Sequence, residues 1–230
     1  MSIPLSPKIP LWLDCDPGHD DTFAILLAAY HPAIRLMGIS TVFGNAALDK
    51  TTMNAASILT SISKHNEIPV YAGASHALTR PPMHHPTDIH GESGLDGTDL
   101  LPQPLVKPNT TRPAVDAMAE AILAEAPNTV HVIATGAFTN VAALFQAHPN
   151  LKAHVKAVET DGSYADALEG KTQTGRTICR KLEAGSAGVA IPRGIDVPKF
   201  WKVLEECIQR ADEANAGAVK GLAEKGPLHV

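Results

Sequence analysis

Four carboxylate side chains lie within eight residues near the amino terminus of the sequence. They are Asp14, Asp16, Asp20 and Asp21, with Gly18 between the two pairs. Negative charges this close repel one another unless a cation or hydrogen-bond donors offset them. Hard oxygen ligands in a glycine-containing turn suit Ca²⁺ or Mg²⁺ better than zinc. The spacing therefore indicates a site for a divalent cation.

Three other kinds of site also contain acidic clusters. Asp20 and Asp21 could cap a helix and complement its dipole, but that leaves Asp14 and Asp16 unexplained. An EF-hand needs a bidentate Glu at the twelfth loop position, where this sequence has Ile25. An aspartyl-nucleophile phosphohydrolase also carries DxD after a strand, but the second, distant carboxylate pair that it needs is not evident here. The phosphohydrolase stays the weakest alternative.

The carboxylates lie where a predicted strand ends and a predicted helix begins. The strand covers residues 10–13, and residues 19–30 have the apolar spacing of a helix. Alternation of strands and helices continues along the chain and predicts an open, mostly parallel, doubly wound α/β sheet. In such a sheet, ligands bind beyond the carboxyl ends of the strands. The further predicted strands are 34–43, 68–72 and 129–134, and the helices are 48–64, 113–126 and 138–147.

The sequence changes character after residue 157. Residues 159–171 are polar and follow no period, and 176–179 and 188–191 are short candidate strands. Residues 197–216 predict a helix with one apolar face made of Phe200, Trp201, Leu204 and Ile208. We divide the chain into a core of residues 1–157, a strand and helix of the same domain in 158–216, and a tail of 217–230. The Pro-, His- and Gly-rich segment 74–111 predicts a long loop, and loops of this length are usually functional or disordered.

Composition restricts the class of protein. The 230 residues carry a net charge of −5, which argues against a nucleic-acid partner. No apolar run approaches the ~18–20 residues that span a bilayer, and the first residues do not have the pattern of a signal peptide. Cys15, Cys179 and Cys207 are widely spaced, which favours buried thiols in a reducing compartment. We expect a cytoplasmic protein without a membrane partner.

Four segments of the sequence resemble the nucleoside hydrolases, the inosine- and uridine-preferring nucleoside N-ribohydrolases. The pattern DxDxGxDD of residues 14–21 is similar to the hallmark of that family after its first strand. Residues 41–45 (TVFGN) are similar to its TxxGN, residues 89–94 (IHGESG) to a loop entering its active site, and residues 134–140 (ATGAFTN) to its TGxLTN turn. Order and spacing agree across about 150 residues, which is more specific than any single motif.

The resemblance implies a Ca²⁺-dependent hydrolase that cleaves the N-glycosidic bond of ribonucleosides such as uridine or inosine, in nucleoside salvage. Asp16 and Asp21 would hold the Ca²⁺ together with the backbone carbonyl of Thr135. Asp16 would also be the general base that takes a proton from a calcium-bound water. The implied fold is the Rossmann-like sheet of this family, and the implied assembly of a complete chain is a homo-oligomer.

The resemblance also implies which residues hold the nucleoside. Asp20 and Asn45 would bind ribose hydroxyls, and Asp14 would support the cluster. His90 would lie near the base, with a solvated loop histidine as the alternative. Carboxylates close to the ribose would stabilise the positive charge that develops as the glycosidic bond breaks.

The sequence departs from the family at residue 158. Residues 158–163 (VETDGS) stand where the resemblance implies a Met-Gly-Gly turn, no EFN segment follows, and the only His-Asp dipeptide is His19-Asp20. Residues 170–179 and 197–210 again resemble the family's last strand and helix. We therefore expect an internal deletion near residue 158 that leaves the sheet incomplete in its second half. This predicts weak or absent turnover and poor solubility, and a noncatalytic ribose- or nucleoside-binding remnant is the second hypothesis.

Overall fold

Five parallel strands form one sheet within the part of the chain that the structure, a computed structural model, describes: residues 7–79, 87–160 and 194–224. The strands are β1 (Ile9–Cys15), β2 (Ile34–Thr41), β3 (Val70–Ala72), β4 (Val130–Ala134) and β5 (Val155–Thr160). Their order is β3-β2-β1-β4-β5, and every neighbouring pair is parallel. The predicted open α/β sheet is confirmed. The candidate strands at 176–179 and 188–191 lie outside the described residues.

The helices of the described residues follow the predicted alternation. They are α1 (His19–Tyr30), α2 (Leu48–Ser61), α3 (Thr87–His90), α4 (Ala114–Leu123), α5 (Thr139–Ala147) and α6 (Val197–Glu224), with a 3₁₀ helix at Pro149–Ala153. The short α3 interrupts the segment that was predicted as a loop, and α6 continues beyond its predicted end at residue 216. Among the described helices, none is both long and apolar enough to cross a membrane.

Helices cover both faces of the sheet, which makes it doubly wound. Leu11 and Leu13 of β1 join the core that contains residues of α1 and α2. Trp12 points to the opposite face and joins the core of α4 and α5. This alternation is the two-residue period of a strand, and burial on both faces explains why β1 reads as a nearly continuous apolar run.

The strand order creates a crevice beside β1. The chain runs from β1 outward through β2 and β3, then returns to the other side of β1 with β4 and β5. Connections on the two sides of β1 therefore leave in opposite directions, and ligands bind at such a switch point beyond the carboxyl ends of the strands. The carboxylate cluster begins at that end of β1.

Helix α6 packs against α1 with a face that overlaps the predicted one only in part, through Phe200 and Leu204. Leu204, Cys207 and Ala211 are buried with Leu26 of α1, whereas Trp201 is 55% exposed and Ile208 is 41% exposed. The predicted face was wrong for these two residues because the apolar side chains of α6 cover a wide arc, and periodicity alone does not select which part of it meets α1. The predicted burial of thiols holds for Cys15 and Cys207, and Cys179 lies outside the described residues.

A pair of substitutions distinguishes the two faces of α6. Leu204→Ala removes a side chain that is 3% exposed, so we expect the free energy of unfolding to fall by about 2–4 kcal/mol. Trp201→Ala removes a larger but exposed side chain, and we expect a loss of less than about 1 kcal/mol. Urea unfolding followed by far-UV circular dichroism measures both. A larger loss for Trp201→Ala would contradict the packing of α6 on α1.

Candidate active site

Asp14 is fully buried near the end of β1 and begins the carboxylate cluster. Its Oδ1 accepts hydrogen bonds from Ser40 Oγ at 2.5 Å and from Asn140 Nδ2 at 2.8 Å. Trp12 Nε1 in turn donates to Ser40 Oγ at 3.0 Å. Asp14 Oδ2 is buried without a hydrogen-bond partner among the described residues. Burial raises the pKa of Asp14 to about 7, although the bonds from Ser40 and Asn140 oppose the shift.

Asn140 joins the ends of three strands at this point. Its Nδ2 donates to Asp14 Oδ1 and, at 2.9 Å, to the carbonyl of Thr41 at the end of β2. Its Oδ1 accepts from the backbone N–H of Ala74, just beyond β3, at 2.8 Å. Asn140 itself stands in the first turn of α5 and is 2% exposed. Asn140 belongs to the ATGAFTN segment but has no predicted role, and Ser40 is not among the predicted site residues.

Asp16 lies between two glycine-containing turns. Its Oδ2 accepts from the backbone N–H of Asn45 at 2.8 Å, and Asn45 Nδ2 donates to the carbonyl of Asp16 at 2.9 Å. A β-carbon at Gly44 would overlap Oδ2, and one at Gly136 would lie 2.6 Å from Oδ1. The turns after β2 and β4 therefore approach the carboxylate more closely than a side chain would allow. Burial, and next the negative charge of Asp21, raise the pKa of Asp16 to about 8.

Asp21 and Thr135 contact each other directly. Asp21 is buried in the first turn of α1, where its Oδ2 accepts from the backbone N–H of Gly18 at 3.2 Å. Thr135 follows β4, and its Oγ1 donates to Asp21 Oδ1. One carboxylate thus connects the start of α1 to the turn after β4.

The backbone of Thr135 holds that turn against β1. Its N–H donates to the carbonyl of Asp14 at 2.9 Å, which extends the pairing of β1 with β4 past the last paired residues of the two strands. The next residue, Gly136, adjoins Asp16. The structure therefore brings the three predicted calcium ligands, in Asp16, Asp21 and Thr135, to one place.

The predicted substrate-binding residues surround Gly18. A β-carbon there would lie 2.6 Å from Asn45 Nδ2 and 2.7 Å from His90 Nδ1, so both side chains lie against the glycine. His90 is half-buried. Asp20 is exposed in the first turn of α1, and its charge contributes to the raised pKa of Asp16. The structure thus places Asp20, Asn45 and His90 around the same turn as the buried carboxylates.

The donor set suits a hard cation by its chemistry. Carboxylates of Asp16 and Asp21 and the carbonyl of Thr135 are oxygen ligands of the kind that Ca²⁺ prefers. The buried, unpartnered Oδ2 of Asp14 adds negative charge that a nearby cation would offset. Among the described residues, no three His, Cys, Asp or Glu side chains are grouped as a metal cage would require. The predicted set has only two such side chains, so the calcium site stays a prediction.

The family profile and the curated relatives that match this chain all describe nucleoside hydrolases. The profile of the family described as "Inosine-uridine preferring nucleoside hydrolase" matches residues 11–167. The uridine nucleosidase of Saccharomyces cerevisiae is 50% identical over 155 residues, which are 67% of this chain and 45% of that protein. The pyrimidine-specific ribonucleoside hydrolase RihA of Photobacterium profundum is 34% identical over 220 residues, which are 94% of this chain and 69% of that protein.

A solved structure agrees with these relatives. The purine-preferring ribonucleoside hydrolase from Gardnerella vaginalis superimposes with a TM-score of 0.61 and 30% identity, over 67% of this chain and 49% of that one. This chain therefore spans about half the length of the yeast relative and of the solved structure. The family profile covers β1 to β5 with the carboxylate cluster, and the chain belongs to the inosine-uridine preferring nucleoside hydrolase family.

Proposed function

We propose that this chain hydrolyses the N-glycosidic bond of ribonucleosides, giving ribose and a free base. The observation that carries the proposal is the buried carboxylate of Asp16, which lies between the turns after β2 and β4 and beside Asp21 and Thr135. The names of the relatives, which are nucleosidases and ribonucleoside hydrolases, support the same reaction.

Asp16 is the general base of the proposal. A base must take a proton from the attacking water at neutral pH, and a carboxylate does this better when its proton affinity is raised. Burial, and next the charge of Asp21, raise the pKa of Asp16 while no cation is bound. A bound cation would offset the charge of Asp21, so burial is the cause that continues to favour proton uptake. The backbone N–H of Asn45 fixes one oxygen of the carboxylate, which orients the group toward one position of the water.

Ca²⁺ is the proposed cofactor, held by Asp16, Asp21 and the carbonyl of Thr135. When bound, it would offset the like charges of the cluster and lower the pKa of a water molecule. Two side chains and one carbonyl are fewer than the ~6–8 oxygen ligands that Ca²⁺ prefers. We therefore expect weak affinity, with water and ribose hydroxyls completing the shell.

Asp20 and Asn45 are the proposed ribose-binding residues. The side-chain Nδ2 of Asn45 already donates to the carbonyl of Asp16. We therefore expect the side-chain Oδ1 of Asn45 to accept a bond from a ribose hydroxyl. Asp20 is exposed at the same turn and can accept a second one. Binding energy from the hydroxyls then becomes available to stabilise the transition state. His90 lies against the same glycine as Asn45, and we expect it to face the base of the bound nucleoside.

Departure of the base is the step for which we expect this chain to be deficient. A nucleobase anion leaves poorly without a proton donor, and the late His-Asp pair that the family resemblance implies is absent from the sequence. Without that acid, the rate should fall on the order of 10²–10⁴-fold. Uridine is the first substrate to test because two relatives are named for uridine or pyrimidine nucleosides.

A substrate with a better leaving group separates the proposed attack of water, which depends on Asp16 and Ca²⁺, from the proposed deficiency in departure of the base. 4-Nitrophenyl riboside releases a stabilised anion and needs no acid, so we expect hydrolysis that depends on added Ca²⁺. Uridine and inosine should be cleaved on the order of 10²–10⁴-fold more slowly than by an enzyme with its acid in place. Release of 4-nitrophenol and of free base measures the two reactions, with chelator-treated protein as the control.

Each outcome of this assay has a definite meaning. Uridine hydrolysis at the rate of the yeast relative would contradict the deficiency and the internal deletion. Failure to cleave even 4-nitrophenyl riboside would contradict the proposed hydrolase activity. Ribose binding without turnover would then favour the noncatalytic ribose- or nucleoside-binding remnant. That second function is favoured by one observation, the absence of the EFN and late His-Asp segments from a sequence that keeps the whole carboxylate cluster.

A further inference from the structure

A compact turn follows α3 at the edge of the carboxylate cluster. The carboxylate of Asp96 accepts hydrogen bonds from the backbone N–H of Glu92 at 3.0 Å and of Ser93 at 3.1 Å, and from Ser93 Oγ. Positive φ angles occur at Gly91 and Gly94, which favours glycine at both positions. The turn is therefore ordered by its own side chain and backbone bonds.

Asn54 of α2 attaches this turn to the cluster. Its Nδ2 donates to the carbonyl of Ser93 at 2.9 Å and to the carbonyl of Pro17 at 3.2 Å. Pro17 belongs to the carboxylate segment, so one buried amide links the two segments. These bonds fix the middle of the turn but do not involve His90.

His19 makes a second attachment, which includes His90. Nε2 of His19 lies 2.9 Å from the carbonyl of Asp96; because a carbonyl only accepts, Nε2 carries the proton. The ring of His19 stacks on the ring of His90, with centroids 5.5 Å apart and planes 20° apart. The backbone N–H of Asp96 donates to the carbonyl of His90 at 3.1 Å. The three residues thus form a closed set of contacts.

The contacts among His19, His90 and Asp96 determine where the His90 ring lies. Its Nδ1 is buried and has no hydrogen-bond partner within the described residues, so no bond to that atom orients the ring. Gly18 limits the ring on one side, where a β-carbon would lie 2.7 Å from Nδ1. The stacked ring of His19 supports it, and His19 is the first residue of α1, on a rigid element adjacent to the cluster.

We infer that His19 is a positioning residue, which holds the His90 ring against Gly18 at the entrance to the carboxylate cluster through ring stacking and through its bond to Asp96. The inference rests on the proposed function, in which His90 faces the base. Small displacements of a substrate-contacting group can reduce rates strongly. The effect of His19 on catalysis should therefore pass through His90.

A double-mutant cycle tests this route. We expect His19→Ala and His90→Ala each to lower kcat/KM for uridine about 10-fold, measured as release of labelled uracil with Ca²⁺ present. The double variant should lose no more than His90→Ala alone, because residues that act through one contact are not additive. Multiplication of the two losses would overturn the inference. His76→Ala is the matched control, since His76 is exposed and bonds only to the adjacent carbonyl of Ala77 among the contacts described.

Two further variants separate the stack from the hydrogen bond. His19→Phe keeps an aromatic ring without the donor, and His19→Gln keeps a donor without the ring. Because the ring contact reaches His90 directly, we expect the Phe variant to retain more activity than the Gln variant. Activity of the Gln variant equal to that of the original chain, with a loss confined to the Phe variant, would contradict a role for the stack.

A measurement on the free protein keeps the inference separate from the proposed function. The ring protons of His90, assigned by NMR through the His90→Ala variant, should shift in His19→Ala and stay in place in His76→Ala. If no nucleoside is cleaved by the original chain, the proposed function fails while this shift still reports the contact. Unchanged His90 resonances in His19→Ala would overturn the positioning role.

Discussion

Replacing Asp16 by Asn is expected to reduce hydrolysis of 4-nitrophenyl riboside on the order of 10²–10⁴-fold, without loss of stability in calcium-free buffer. Asn keeps the size of the side chain and can still accept the bond from the Asn45 backbone, but it cannot take a proton. Burial and the charge of Asp21 place the pKa of Asp16 at about 8 in the folded chain, above its ordinary value of 3.8. Ionisation therefore opposes folding increasingly as the pH rises between these two values, and Asn removes that cost.

The matched control is Asp49→Asn, which removes an exposed carboxylate from the first turn of α2. It should leave both the rate and the melting temperature nearly unchanged. Added Ca²⁺ should raise the melting temperature of the original chain more than that of Asp16→Asn, because a ligand that binds only the folded state stabilises it. Retention of most of the riboside hydrolysis by Asp16→Asn would exclude Asp16 as the base.

Replacing Asn140 by Ala is expected to lower the free energy of unfolding by about 3 kcal/mol, because each buried polar group left without a partner costs about 1–3 kcal/mol and the costs are not additive. The change leaves the N–H of Ala74 without the amide oxygen and removes one of two donors to Asp14. The carbonyl of Thr41 also loses a donor but keeps the bond from the backbone N–H of Gly73. Urea unfolding of calcium-free protein measures the loss.

Asn140→Asp provides a sharper version of the same experiment. It keeps the shape and the acceptor for Ala74 but sets a carboxylate against Asp14, so we expect a loss at least as large as that of the Ala variant. Asn150→Ala, at an exposed position of the 3₁₀ helix, should change the free energy of unfolding by less than about 0.5 kcal/mol. Equal stability of the Asn140 and Asn150 variants would show that the amide does not join the strand ends.

The strand–turn–helix that carries the cluster was predictable because its signals are local. Carboxylates around Gly18 follow an apolar run and precede helical spacing, and the structure has β1 and α1 at those places. The partners of Asp14 were not predictable in this way. Asn140 lies 126 residues away along the chain and Ser40 lies 26 residues away. Only the strand order brings them together.

Two other differences between the predicted and the observed structure also arise from contacts between residues that are distant along the chain. The orientation of α6 depends on its contact with α1 rather than on its own pattern, so Trp201 belongs to the predicted apolar face and is nevertheless exposed. The turn that follows α3 depends on Asp96 and on a stacked histidine pair, which a Pro- and Gly-rich composition does not reveal. The internal deletion near residue 158 stays a prediction, since residues 161–193 lie outside the described part of the chain.

The central position of β1 has a consequence for how the site can be lost. Hydrogen bonds of β1 are shared with β2 on one side and β4 on the other, so its amides should exchange with solvent only through opening of the whole sheet. The turn carrying His90 is instead attached by a few side-chain contacts and can open by itself at a smaller free-energy cost. The proposed contact of His90 with the base can therefore be lost locally and reversibly, whereas the carboxylate cluster persists for as long as the domain is folded.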